Sequence, residues 1–273
     1  MTPVEPTERR VRVWQGTIDT AVKVAGGGPP LVFLHGETGL RWDPFLAALA
    51  GRHTVHAPEH PGTSADPDAI RHLDDLHDLV VYYLELFDGL GLGSFALVGH
   101  SFGAMVAAEI AAVAPERIRG LVLVSPLGLW RDDAPVVNPM IIDPASVVPA
   151  MLHDPGSPLG QMMSAAMANA LEDVGPTLRT TWALGCTAKF TWPIPDRGLR
   201  KRIHRISAPT LVVHGASDGI VPAVYAGEFG RRIRNARVEL VGEAGHLPHL
   251  EQFERVTAIV TDFLGESSKE VRA

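Results

Sequence analysis

The stretch Gly99-His100-Ser101-Phe102-Gly103 constrains this chain more than any other. The apolar run Phe95-Ala96-Leu97-Val98 precedes it, and the helix-forming run Ala104-Met105-Val106-Ala107-Ala108-Glu109-Ile110 follows. Strand, tight turn carrying a serine, helix: this is a G-x-S-x-G nucleophile elbow in the setting the motif requires. Such a turn holds its serine in a strained backbone conformation. Only small flanking residues leave room for it, which accounts for Gly99 and Gly103. The hydroxyl then sits exposed at the mouth of a sheet, over the positive N-terminal end of a helix. The plain alternative is a Gly-Ser turn without chemistry, and partners elsewhere in the chain decide between the two.

Those partners depend on the order of elements. Val11-Arg12-Val13-Trp14-Gln15 and residues 18–24 read as an opening hairpin. Leu31-Val32-Phe33-Leu34, Leu121-Val122-Leu123-Val124 and Leu211-Val212-Val213-His214 are short continuous apolar runs, the pattern of strands buried on both faces. Thr54-Val55-His56-Ala57 and Val238-Glu239-Leu240-Val241 add two more strands. Helices are expected over 42–50, over 223–234 and at the closing face of Phe253, Val256, Val260, Phe263 and Leu264. A further helix opens at Asp66-Pro67, as cap and first-turn proline, and runs through Leu73, Leu76, Val80, Tyr83, Leu84, Phe87 and Leu90. From about 126 to 205 the rhythm breaks: prolines recur, helical stretches appear over 160–172 and 177–189, and no buried-strand run is present. Alternation on both sides of this segment implies an α/β chain with a mostly parallel sheet and helices on both faces. The division expected is a core of 1–126 and 206–273 with a helical cap, or lid, inserted over 127–205.

A serine hydroxyl needs a base to take its proton, and the base needs an orienting acid. Each should follow a strand, because loops at the carboxyl ends of a parallel sheet converge on one site. Asp218 lies in Gly215-Ala216-Ser217-Asp218-Gly219-Ile220-Val221-Pro222, directly after a buried strand, and fits the acid. The loop after the preceding strand, Ser125-Pro126-Leu127-Gly128, has no carboxylate until Asp132. His246 lies in Gly245-His246-Leu247-Pro248-His249 after the last strand and fits the base, with His249 as its rival. Two backbone N–H groups must face the developing oxyanion. Phe102, the residue after the serine, supplies one, and the loop His35-Gly36-Glu37-Thr38-Gly39 the other, through Glu37 or Gly36. In this reading the Glu37 amide acts and its side chain is free to vary, while His35 braces the loop. His56, Glu59 and His60 are close enough to suggest a metal site, but a turn after a strand accounts for them, and no second ligand cluster supports a metal.

Composition narrows the classes. The chain has 273 residues, 46% of them hydrophobic, enough for a large α/β domain with a sizeable core. A net charge of −7 argues against nucleic-acid binding. A single cysteine, Cys186, allows no intrachain disulfide and reads as a buried structural thiol. The first sixteen residues lack the apolar segment of a secretory signal, and no apolar run reaches membrane-spanning length, so a cytoplasmic location is expected.

Together the four motifs resemble the α/β-hydrolase fold superfamily, over about 11–265. The resemblance implies a core of about eight strands, a helical cap between the sixth and seventh, and no cofactor. It implies Ser101 as nucleophile, His246 as base and Asp218 as orienting acid. Glu59 stands where many relatives have aspartate in an Ala-Pro-Asp-x-Pro-Gly loop, a departure without catalytic consequence. Haloalkane dehalogenases and epoxide hydrolases carry aspartate at the elbow, where this chain has Ser101. Carbon–carbon hydrolases of ring-cleavage products are similar in layout. They usually have a Gly-Gly-Gly-Pro-Gly loop, an asparagine before the nucleophile and a tryptophan after the histidine, where this chain has Glu37-Thr38, His100 and Leu247.

The expected activity is that of a serine hydrolase of carboxylesterase type, cleaving an ester or related acyl bond of a small, largely apolar molecule. Carbon–carbon hydrolysis is the alternative, and non-catalytic ligand binding the alternative of another class. Gly36, His100 and Leu247 beside the motifs, with Met163, Met167, Trp182 and Trp192 from the cap, are the candidate pocket residues. Met151, Leu152, Met162 and Phe190 supply further apolar surface there. The basic residues Arg197, Arg200, Lys201, Arg202 and Arg205 read as a solvated helix face, with carboxylate binding as the other use.

Overall fold

Apolar runs too short for helices become the centre of one sheet. The computed structural model describes residues 5–64, 66–169 and 174–270. Its strands are β1 (Thr7–Val13), β2 (Ile18–Ala25), β3 (Pro30–Leu34), β4 (Thr54–Pro58), β5 (Phe95–His100), β6 (Ile118–Val124), β7 (Thr210–Gly215) and β8 (Ala236–Val241). They form an eight-stranded sheet in the order β1-β2-β4-β3-β5-β6-β7-β8. β1 pairs antiparallel with β2 and β2 antiparallel with β4, while every later pairing is parallel.

Side-chain alternation assigns the two faces. Leu31 and Phe33 of β3, with Leu211 and Val213 of β7, join the cluster under α1 (Pro44–Ala50) and α10 (Phe253–Glu270). Val32, Leu34 and Val212 join the cluster on the other face, under α2 (Leu76–Leu90), α3 (Phe102–Val113) and α8 (Val224–Arg232). Strands buried on both sides need apolar residues at consecutive positions, which is why these runs do not alternate with polar residues.

The helix expected from Asp66 onward is interrupted. Asp66 caps only a 3-10 turn, Pro67–His72, and Leu73 is extended at φ −117° and ψ 119°. Asp75 starts α2 afresh, accepting from the amides of His77 and Asp78 at 2.8 and 3.0 Å. The apolar spacing is continuous through this break because Ile70 and Leu73 are buried against the same core. The periodicity therefore marks a shared buried face and not one helix.

Between β6 and β7 the described residues form helices and no strand: α4 (Pro144–Met151), α5 (Pro158–Ala168), α6 (Val174–Thr191) and α7 (Leu199–Arg202). The sequence expectations of helix over 160–172 and 177–189 fall on α5 and α6, except that α5 ends at Ala168 with Asn169 as its C-cap, and residues 170–172 lie outside the described residues. This segment is tied back to the rest of the chain at several points. The Trp182 indole donates to Gly62 O at 2.8 Å, and the Gly219 amide donates to Ala150 O at 2.9 Å. The short helix α9 (Pro248–Glu251) precedes α10. No helix among the described residues is long and apolar enough to cross a membrane.

Candidate active site

The loops after β3, β5, β7 and β8 meet at the carboxyl edge of the sheet, as parallel topology requires. Ser101 sits between β5 and α3 at φ 53° and ψ −113°, an unfavourable conformation for a residue with a Cβ. Packing enforces it. A Cβ on Gly99 would lie 2.5 Å from Gly103 O, and one on Gly103 would lie 2.1 Å from Leu34 O. Both glycines are present because β5, α3 and the end of β3 approach backbone to backbone.

Ser101 Oγ lies 2.7 Å from His246 Nε2, and His246 Nδ1 lies 2.8 Å from Asp218 Oδ2. The rival, His249, is buried and packs its ring at a tilt against His100 and edge-on to Phe45, with ring centroids 4.7 and 5.4 Å apart. It makes no contact with the serine among the hydrogen bonds of the described residues. Asp218 is fixed from several directions. Its Oδ1 accepts from the amides of Ile220 and Val221 at 2.9 and 2.8 Å, and its Oδ2 also lies 3.2 Å from His214 Nε2. Burial works against its charge, but the charges and hydrogen bonds of His246 and His214 outweigh burial and hold its carboxyl well below the ordinary range. For His246, burial again opposes charge, yet Asp218, Glu37 and Glu251 together raise its pKa.

Backbone bonds position the histidine loop. The His246 amide donates to Met151 O at 2.6 Å, and the Gly245 amide donates to Glu251 Oε1 at 2.7 Å. His100 Nε2 donates to His246 O at 3.0 Å. Gly36 packs behind this group, since a Cβ there would lie 2.9 Å from His100 Nδ1.

The loop after β3 is pinned by imidazoles. His35 Nδ1 donates to Gly36 O at 2.7 Å, and its Nε2 accepts from the His60 amide at 3.0 Å. His60 Nε2 donates to His35 O at 2.7 Å, leaving Nδ1 to accept from the Tyr83 hydroxyl. This pattern requires both rings to be neutral, and burial lowers both pKa values, that of His60 to about 4. Both ring nitrogens of His60 are therefore engaged within the fold. His35 is the brace expected of it. His60 is a second one, which the metal-like spacing of 56, 59 and 60 concealed.

Glu37 is not where the sequence reading left it. Its side chain enters the site, and its Oε1 accepts from Ser101 Oγ at 2.9 Å. It also lines a cavity of about 210 Å³ together with Leu127, Trp130, Val137, Leu184, Trp192 and Ile220. Of the candidate pocket residues, Trp192 lines this cavity; Gly36, His100, Met163, Met167, Trp182 and Leu247 are not among its described lining residues. His100 is buried beneath the histidine loop, Met167 is exposed on α5, Trp182 bonds to Gly62, and Leu247 precedes α9. His214 and the Glu37 side chain are the contributors that the sequence reading missed. His214 has a signal in retrospect: it ends a buried strand four residues before Asp218.

A family model described as "Alpha/beta hydrolase family" matches residues 31–259. The chain is 28% identical over 255 residues to the pimeloyl-[acyl-carrier protein] methyl ester esterase of Nitrosomonas europaea, covering 85% of this chain and 95% of that one. It is 24% identical over 273 residues to the 2-hydroxy-6-oxo-2,4-heptadienoate hydrolase of Pseudomonas putida, covering 92% and 95%. The meta-cleavage product hydrolase from Pseudomonas fluorescens IP01 superposes with a TM-score of 0.76 at 20% identity, over 95% of this chain and 98% of that one. At that identity the likeness speaks for the fold alone.

Proposed function

The chain belongs to the alpha/beta hydrolase family, and from that premise we propose that it is a serine hydrolase of carboxylesterase type. It cleaves an ester, or a related acyl bond, of a small and largely apolar substrate through an acyl-enzyme. The observation that carries the reading is the chain of contacts from Ser101 Oγ to His246 Nε2 at 2.7 Å and from His246 Nδ1 to Asp218 Oδ2 at 2.8 Å. Ser101 Oγ attacks the carbonyl carbon while its proton passes to His246 Nε2. The backbone amides of Phe102 and Glu37 stabilise the oxyanion. Phe102 opens α3, so its N–H belongs to the first turn, where amides have no intrahelical acceptor. The tetrahedral intermediate collapses, the carbon–oxygen bond to the alcohol breaks, and His246 protonates the leaving oxygen. Water then gives its proton to His246 and attacks the acyl carbon, releasing the acid and restoring the serine.

The helical segment between β6 and β7 acts as the cap in this reading. Leu184, Thr187 and Trp192 of that segment face Glu37 and Ile220 of the core across the cavity. The same cavity weighs against carbon–carbon hydrolysis of ring-cleavage products. Those dienoates are carboxylates, and the described lining contains Glu37 and no lysine, arginine or histidine.

Labelling by a fluorophosphonate, with hydrolysis of nitrophenyl esters of graded acyl length and of a ring-cleavage dienoate, tests the reading. Wild type is labelled and turns over esters. Ser101→Ala is not labelled and loses about three to six orders of magnitude in kcat. A folded wild type that resists labelling favours a ligand-binding role, and turnover of the dienoate alone favours the carbon–carbon reading.

A further inference from the structure

Ser101 has one hydroxyl proton and two acceptors. His246 Nε2 lies 2.7 Å from Oγ and Glu37 Oε1 lies 2.9 Å from it. When the hydroxyl donates to Glu37, the contact with His246 is satisfied only if Nε2 carries a proton; with Nδ1 donating to Asp218 the imidazole is then a cation, which cannot act as a base. Glu37 thus competes with the base for the nucleophile's proton. Anything that occupies the Glu37 carboxylate returns that proton to His246.

The surroundings state what would occupy it. Glu37 is the one charged residue among the described residues lining the cavity. The remaining walls are mainly apolar, from Leu127, Val137, Leu184 and Ile220, with the indoles of Trp130 and Trp192. A carboxylate in such a half-enclosed, weakly polar space attracts a cation more strongly than one in open water. Indole faces add to the attraction for an ammonium group. A substrate carboxylate placed there meets repulsion and finds no cation among the described lining residues to pair with.

We propose that Glu37 makes this a site for esters that carry an ammonium group close to the scissile carbonyl, and that it turns away esters that carry a carboxylate there. The inference rests on the hydrolase reading above and names its substrate class. Glu37 acts as a specificity-determining residue through its side chain, in addition to any part its amide plays.

The test uses nitrophenyl esters of one chain length ending in a methyl, an amino or a carboxyl group, assayed with wild type, Glu37→Gln and Glu37→Asp. In wild type the amino ester is expected to exceed the carboxyl ester in kcat/KM by roughly 30-fold or more, the size of one partly screened ion pair. Glu37→Gln keeps the backbone amide and the side-chain shape, and the ratio falls towards one. Glu37→Asp keeps the charge and retains the preference, which separates loss of charge from misfolding. Calorimetric binding of butylammonium and butyrate to the same proteins reads the charge preference without turnover. Hydrolysis of all three esters with a ratio near one, or a ratio unchanged in Glu37→Gln, overturns the inference and leaves the hydrolase reading standing. Charge-selective binding that depends on Glu37, with no ester turned over, overturns the hydrolase reading and leaves the charge selection standing. Equal binding of the two ions with no turnover overturns both.

Discussion

His214 Nε2 lies 3.2 Å from Asp218 Oδ2, the same carboxylate oxygen that meets His246 Nδ1 at 2.8 Å. His214 also donates to Val221 O at 2.8 Å, so one buried imidazole ties the end of β7 to the loop that carries Asp218. Removing it leaves the Val221 carbonyl without this donor and Asp218 Oδ2 with His246 alone. His214→Ala is expected to cost about 1–3 kcal/mol in stability. It should also lower kcat more than it raises KM, because in the proposed mechanism Asp218 orients the base and not the substrate. Urea unfolding with steady-state kinetics checks both; an unchanged kcat would show that the amides of Ile220 and Val221 hold Asp218 unaided.

The acid limb of the pH–rate profile follows from His246. In the proposed mechanism it must be neutral to accept the serine proton, so activity falls as pH drops through its pKa. Burial opposes the charged ring, but Asp218, Glu37 and Glu251 together raise that pKa above the ordinary value of 6.5. His100 and His249 pack beside it and are held neutral by burial. Half-maximal kcat/KM is therefore expected above pH 6.5. Glu37→Gln removes one raising charge and moves the limb to lower pH; a limb that stays in place would show that Asp218 and Glu251 set it without Glu37.

Stability should fall on acidification for a separate reason. His35, His60, His100 and His249 are buried and their pKa values are lowered by that burial, to about 4 for His60 and about 3 for His249. Each binds a proton in the unfolded chain below about pH 6.5 and does not do so in the fold. Each contribution is thus complete above 6.5 and is lost as pH falls towards the folded value. The slope is about 1.4 kcal/mol per pH unit per group. His246 has the opposite sign, since its raised pKa adds stability below 6.5 that fades at higher pH. Denaturation midpoints between pH 7.5 and 5 should decline steeply below 6.5, and a flat profile would contradict the neutral His35–His60–Tyr83 network.

Much of the candidate site's geometry was legible because it rests on turns of unusual shape. Gly99 and Gly103 announce a backbone crowding that few other turns need, and Asp218 follows a strand whose apolar run is plain, while the strand before His246 is half-exposed and carries Glu239. The antiparallel edge, β1-β2-β4, was legible only as a hairpin, because nothing local tells β2 to pair next with β4. The break at Leu73 was hidden, since a buried face continues across it. The direction of the Glu37 side chain was not legible at all. Loop residues lack a period that assigns a face, and the carboxylate meets Ser101 across 64 positions of sequence.

Arg202 in α7 grips Glu109 of α3 through two bonds, at 2.8 and 2.7 Å, and Glu109 is only 2% exposed. One member of the basic run is therefore a structural clamp, not part of a solvated face. Arg202→Met leaves a buried carboxylate unpaired. The cost expected is about 2 kcal/mol, below the full value for a buried pair because Arg202 itself reaches water. Adding Glu109→Gln should recover part of it, which a double-mutant cycle by thermal unfolding measures.

The sharpest steric prediction concerns Gly103. A methyl group there would lie 2.1 Å from Leu34 O and 2.4 Å from His35 O, both backbone atoms at the end of β3. No side-chain rotation relieves the clash, so either α3 or the loop that carries Glu37 must move. Gly103→Ala is expected to lower the melting temperature and to slow fluorophosphonate labelling of Ser101 at least tenfold, since a shift of about 1 Å suffices for such a loss. Gly185 is the control. It lies in α6 with nothing among the described residues within 4 Å of its would-be Cβ. Gly185→Ala should stabilise the protein by about 0.4–1 kcal/mol through helix propensity and a less flexible unfolded chain. Equal melting temperatures for the two variants would mean that β3, β5 and α3 are packed less tightly than the elbow's geometry demands.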